Sequence, residues 1–251
     1  MKKKIQIMTA VLLILTIIAG CGAKKQEEPL PDTVRWINAT YAVLTKANNG
    51  NLNAIGGMNK VEGSKKLLLA SLEEWWDITD RASADEQLDW LIGEGHRAQF
   101  ASDIAYLQEN GVMDLSAEDQ KALIEESFEE ADQAYVYSIL EAYDTYGEHA
   151  IDAWDYCRAN QLLGQFYIVD FYTKEEALDK SLEISQILQD TYDSWEDMAQ
   201  SYLYGYQYWQ EDDMDEEGSA SYERHAIYEK LLEQKDNPYQ IDWNLKLEKS
   251  W

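Results

Sequence analysis

From Asp32 onward, apolar residues recur at steps of three and four, and turn-forming residues interrupt them at intervals. That spacing is the helical period and sets each apolar group on one stripe of a helix. The pattern predicts a first helix over about 33–48, with Asp32 as its candidate cap and Gly50 beyond its end, then a Gly/Asn-rich loop over 51–63. Ser64 opens a helix through Leu67, Leu68 and Leu72 to Trp75. Thr79 or Ser83 starts the next, with Ala84, Leu88 and Leu91 on one stripe and Gly95 closing it. Residues 96–110 continue as helix, with Phe100, Ile104 and Leu107 inward. Ser116 and Asp119 form a candidate capping pair for a long acidic helix from Ala117 towards Tyr146, with a break near Glu130. Another helix covers about 149–169. Thr173-Lys174-Glu175-Glu176 then has the Thr-x-x-Glu spacing of a capping box, and Ala177, Ser181, Ile184 and Leu188 follow on one face.

Ser194 opens a further helix whose Trp195, Met198, Tyr202, Gly205 and Trp209 make a narrow seam. Gly205 between two tyrosines predicts the close approach of a neighbouring helix. The last helix covers about 219–234. The tail after Asn237 is irregular, and its Trp243 is expected to fold back, because an indole is costly to leave in water. The three prolines are Pro29, Pro31 and Pro238, so none interrupts the span between. A proline inside a helix costs about 3 kcal/mol, and its absence permits long helices. These patterns predict an all-α fold, one compact domain of about eight to nine helices over 33–251.

The stretch 153–158 departs from the pattern. Trp154, Asp155, Arg158 and Leu162 share one helical face, so a charged pair lies within an apolar stripe. Arg158 there can pair with Asp155 and stack on an indole, or offer a planar fork to an anion.

The N-terminus has a different character. Lys2, Lys3 and Lys4 precede a short apolar run from Met8 to Ala19, followed by Gly20 and Cys21. A basic start, a short apolar core and small residues before a cut define an export signal, here 1–20. The ending on Cys21 resembles the lipobox of bacterial lipoproteins, which implies acylation of that cysteine. Residues 21–32 then read as the lipidated Cys21 and a flexible tether with a typical reach of roughly 17–20 Å. The expected location is the extracytoplasmic face of the cell membrane, held by the lipid anchor.

Charge changes the list of partners. The chain has 48 Asp and Glu against 21 Lys and Arg, a formal net charge of −27. Nucleic acid is excluded as a partner, since binding it relies on neutralising phosphates with cations. A basic protein is the partner this surface suits. With Cys21 acylated, Cys157 has no partner for a disulfide and reads as a small buried residue.

Several tryptophan-marked motifs add a family likeness. Trp76-Asp77-Ile78-Thr79-Asp80-Arg81, Asp89-Trp90-Leu91 and Gly95-His96-Arg97 are similar to one block of the bacterial "domain of unknown function 1266" family. Residues 154–158, Glu175-Glu176-Ala177, Ser194-Trp195-Glu196 and Tyr202-Leu203-Tyr204-Gly205 with Trp209 resemble its second block. Asn237-Pro238-Tyr239 with Trp243 resembles its tail, so the likeness spans about 67–243. It implies a helical domain with no assigned activity.

The candidate site is the set of polar and aromatic residues within those motifs: Trp76, Asp80, Arg81, His96, Arg97, Trp154, Asp155 and Arg158. It forms either a structural ion-pair cluster or the wall of a pocket. The acidic run over 211–218, read from Asp213, approaches a calcium loop, but the twelfth position, which should be a bidentate Glu, is Arg224. His96, His149 and His225 lie far apart, no metal set has suitable spacing, and no nucleophile or phosphate-loop motif occurs. No cofactor is expected. The nine Trp and seventeen Tyr read mainly as core at helical spacing. The expectation is a non-catalytic binding or interaction module. The alternatives are a lipoprotein that binds a small ligand around Trp154 and Arg158, and a carboxylate-dependent hydrolase assisted by His96.

Overall fold

The computed structural model describes residues 29–251, so the expected export signal, the expected lipidation site at Cys21 and most of the expected tether lie outside the described residues. The described chain is all helical and forms one domain, as the spacing predicts. Its helices are α1 (Asp32–Thr40), α2 (Ala42–Ala47), α3 (Glu62–Trp76), α4 (Arg81–Gly93), α5 (Gly95–Glu109) and α6 (Ala117–Ser127). They continue as α7 (Glu130–Tyr146), α8 (Asp152–Ile168), α9 (Lys174–Thr191), α10 (Trp195–Gln210) and α11 (Ala220–Leu232). Among the described residues no helix is long and apolar enough to cross a membrane.

Side-chain caps account for five of the eleven helix starts. Ser116, Thr173, Ser194 and Ser219 each accept a hydrogen bond from the backbone N–H three residues on, which satisfies a donor left open in a first turn. Three starts differ from expectation. Asp32 is already helical after Pro31, whose side chain cannot cap. Val61 rather than Ser64 precedes α3. The cap of α4 is Asp80, which forms a capping box with Ser83. The first helix is also interrupted at Tyr41, and the acidic stretch divides at Phe128 and Glu129, near the expected break.

α8 runs through the centre, with α9 and α10 packed along it and α1, α3, α4 and α5 against its other sides. Every side chain from Asp152 to Gly164 is buried, including Asp152, Asp155, Arg158, Asn160 and Gln161. A helix buried all round normally carries apolar residues on every face. Here the buried polar groups need partners on the surrounding helices, because an unpaired polar group costs about 1–3 kcal/mol. The Asn160 amide nitrogen finds them by donating to Thr40 of α1 (3.1 Å) and Ser185 of α9 (3.2 Å), while its oxygen is buried with no partner among the described residues.

α10 lies so close to α8 that a Cβ at Gly205 would stand 2.2 Å from the Cβ of Trp154, which explains the glycine within an aromatic seam. At the opposite end of the core, three indoles meet. Trp36, Trp195 and Trp243 have ring centroids 4.7–5.1 Å apart. Trp243 is buried as expected, and its indole N–H donates to the Tyr192 carbonyl at 3.1 Å.

A candidate ligand cleft beside a buried charge cluster

The cluster begins with Asp155, which is fully buried. One oxygen accepts from Nη2 of Arg158 at 2.8 Å. The other accepts from the backbone N–H of Arg97 at 3.1 Å and from its Nη1 at 3.2 Å. The carboxylate therefore sits at the N-terminus of α5, where the helix dipole favours negative charge. Burial pushes the Asp155 carboxyl up, but the contact with the His96 ring, the Arg158 charge and the backbone N–H groups opening α5 outweigh it and hold the group below the usual carboxylate range. Room for it depends on Gly95. That residue has φ +61°, and a Cβ there would lie 2.1 Å from the Asp155 oxygen. The sequence pattern placed Gly95 at the close of a helix; the structure makes it the first residue of α5, because the facing carboxylate needs that space.

Arg97 extends the cluster outward. Its guanidinium donates to the Leu91 carbonyl at 2.6 Å and to the Ile92 carbonyl, covering carbonyls near the end of α4, and it lies over the ring of Tyr156. Arg158 donates from Nε to the Trp154 carbonyl at 3.1 Å and lies 4.0 Å from the centroid of the Trp154 ring. The Trp76 ring is 5.4 Å from the same guanidinium. Burial pulls Arg158 down and the Asp155 carboxylate partly restores it, but a guanidinium stays charged.

Nδ1 of His96 is 2.8 Å from Nη2 of Arg158 and 3.2 Å from Asp155. A guanidinium only donates, so the shorter contact makes Nδ1 an acceptor. The ring proton of the neutral imidazole then belongs on Nε2, the nitrogen on the other side of the ring.

Of the eight candidate site residues, Trp76, His96, Arg97, Trp154, Asp155 and Arg158 come together. Asp80 and Arg81 do not. Asp80 is the α4 cap, and Arg81 pairs with Asp85 at 3.0 Å and stacks on Tyr172 at 3.7 Å, on another part of the surface. Their neighbours in sequence reach the cluster, but the turn before α4 directs these two elsewhere.

Beside the cluster lies a cleft of about 700 Å³. Trp75 and Trp76 of α3, Trp90 of α4, Trp154 of α8, and Tyr206 and Trp209 of α10 line it. His96, Arg158 and Arg224 contribute cationic or donor groups, Gln161 and Gln165 contribute amides, and Asp77 is the carboxylate residue on the lining. Trp75 is 74% exposed and Trp209 50%, so indoles stand in water around the opening. The expectation that the aromatics at helical spacing are mainly core holds for Trp36 and Trp195 and not for these. Trp154 is buried, and its indole N–H has no acceptor among the described residues.

Sequence reasoning missed Arg224. Its only apparent role was to spoil a calcium pattern. In the structure it stands on α11, donates to the Tyr202 hydroxyl at 3.0 Å and lies 4.1 Å over the Tyr206 ring. Two of the loop carboxylates are used locally: Asp213 accepts from the Asp215 N–H and Asp212 from the Ser221 N–H. Among the described residues no group of three or more His, Cys, Asp or Glu side chains is arranged to hold a metal ion. Cys157 is buried beside Met198, and burial pushes its thiol well above the usual range.

Fold and cleft together define an all-helical domain built round one buried helix, with an aromatic-walled opening at its side. The family model described as "Protein of unknown function (DUF1266)" matches residues 71–243, and the chain belongs to that family. No curated protein and no solved structure matches the chain. The match begins within α3, so α1 and α2, which supply Trp36 to the core and Leu44 to the cleft, precede it.

Proposed function

We propose that this protein is a non-catalytic binding module, anchored at the extracytoplasmic face of a bacterial membrane through acylated Cys21, and that its cleft takes a small ligand. The observation that carries the binding reading is the cleft: its volume lies in the range of small-molecule sites, and its walls are aromatic with a few polar groups converging. The anchor rests on residues 1–21 alone. The tautomer at His96 counts against a hydrolase, because the ring's lone pair is turned to Arg158 and a proton faces away from the cluster.

Native mass spectrometry of the full chain, released from membranes in mild detergent, tests the binding reading. A bound small molecule in the wild type, lost in Trp209→Ala, is expected. A bare protein mass, with no thermal shift across a panel of small metabolites, overturns it. The anchor has its own test: a Cys21→Ala chain should leave the membrane fraction, and unchanged fractionation removes that half. The acidic surface favours one further reading, a basic protein partner, whose association would slow steeply as salt is raised.

A further inference from the structure

Arg224 is the exception among the arginines. The sequence holds five: Arg35, Arg81, Arg97, Arg158 and Arg224. The first four each have a carboxylate within 4.0 Å, at Asp32, Asp85, Asp155 and Asp155 respectively. Arg224 has none among the described residues, in a chain with more than two acidic residues for every basic one. Nor is it simply solvated. It is half-buried against Tyr206 and Tyr202, on the cleft lining. A partly buried cation without a counter-ion is costly, and its cost falls when a ligand supplies the charge.

Two further groups point the same way. The Trp154 indole N–H is buried and unpaired, on a residue of the same lining. Nε2–H of His96 is a donor with no protein acceptor among the described residues. Donors without acceptors, one free cation and a single lining carboxylate fit an acceptor-rich, negatively charged group. The indoles around the opening fit a flat body, since aromatic faces gain most from stacking on rings.

We infer that the cleft is a subsite for a small anion carrying a ring: its carboxylate, sulfate or phosphate group is held by Arg224 with the His96 and Trp154 donors, and its ring lies between the tryptophans. This rests on the cleft being a ligand site and adds the class of ligand.

A matched pair of dyes tests it on the full chain in detergent. 8-Anilinonaphthalene-1-sulfonate carries the ring and the anion; N-phenyl-1-naphthylamine carries the ring alone. The wild type should bind the sulfonate with one-to-one stoichiometry and at least tenfold more tightly than the neutral dye. Arg224→Gln should abolish that difference and leave the neutral dye unchanged, while Arg224→Lys should keep most of it. Gln210→Glu alters an exposed residue of the lining, so folding is not at stake, and it should weaken the sulfonate only. Trp209→Ala should weaken both dyes. Equal binding of the two dyes, indifferent to Arg224→Gln and Gln210→Glu, overturns the anion inference and leaves the cleft a ring-binding site. Failure of both dyes to bind, or binding indifferent to Trp209→Ala, overturns the cleft reading and this inference with it.

Discussion

Replacing Asp155 with asparagine probes the centre of the molecule. The change keeps the shape and removes the charge. Asp155 accepts hydrogen bonds from two guanidinium groups and one backbone N–H at 2.8–3.2 Å, with its side chain fully buried. Hydrogen bonds to charged groups contribute about 1.5–3 kcal/mol each, and an amide nitrogen would turn donors towards donors. It would also leave Arg158, itself buried, without its counter-charge. Breaking a buried pair from one side costs about 3–5 kcal/mol. For a domain of this size each kcal/mol moves the thermal midpoint by about 2–4 °C, so Asp155→Asn should lower it by about 6–20 °C. Differential scanning calorimetry and near-UV circular dichroism both read this. The cost should be non-additive: with Arg158→Met added, the double variant should recover about 1–3 kcal/mol relative to the sum of the singles.

The pH dependence follows from the same geometry. The folded Asp155 carboxyl titrates below its unfolded value, so the folded state binds its proton less tightly than the unfolded state does. Its contribution is fully present above the ordinary carboxylate range and is lost as pH falls through the depressed folded value. Wild-type stability should therefore drop on acidification below about pH 4, and Asp155→Asn should flatten that limb. An Asp155→Asn midpoint within about 2 °C of wild type at pH 7, with an unchanged acid limb, would refute the reasoning.

Three other outcomes are expected. Gly205→Ala places a methyl group into the Trp154 side chain at 2.2 Å and should destabilise by at least about 1–3 kcal/mol in urea titration; a neutral effect would mean that α8 and α10 stand further apart. Cys157 should resist a thiol reagent such as dithionitrobenzoate in the native state and react only on unfolding, with modification within seconds counting against its burial. Trp243→Ala removes an indole packed on Trp36 and Trp195 and should cost about 3–5 kcal/mol, read as a lower urea midpoint; a loss under 1 kcal/mol would show that the tail contributes little to the fold.

Some of the structure was legible residue by residue. The caps at Ser116, Thr173 and Ser194 could be read because a cap and the N–H it satisfies lie three residues apart. The burial of Trp243 and the close approach at Gly205 could be read because size and polarity leave few alternatives. The pairing of Asp155 with Arg158 also lay within one helical turn. Gly95 was misread because its role comes from a carboxylate 60 positions along the chain. Asp80 and Arg81 were misplaced because proximity in a motif does not set the direction of a turn.

By itself the sequence determined the helical class, several helix starts, the charged centre of α8 and an N-terminal pattern that resembles a lipobox. Only the tertiary structure decided that α3, α4, α8, α10 and α11 border one cleft, and that Arg224 enters it without a carboxylate. The physical reason is range. Helical period, capping and side-chain size act within a few residues, whereas a cleft is the space left between helices by the packing of the whole chain.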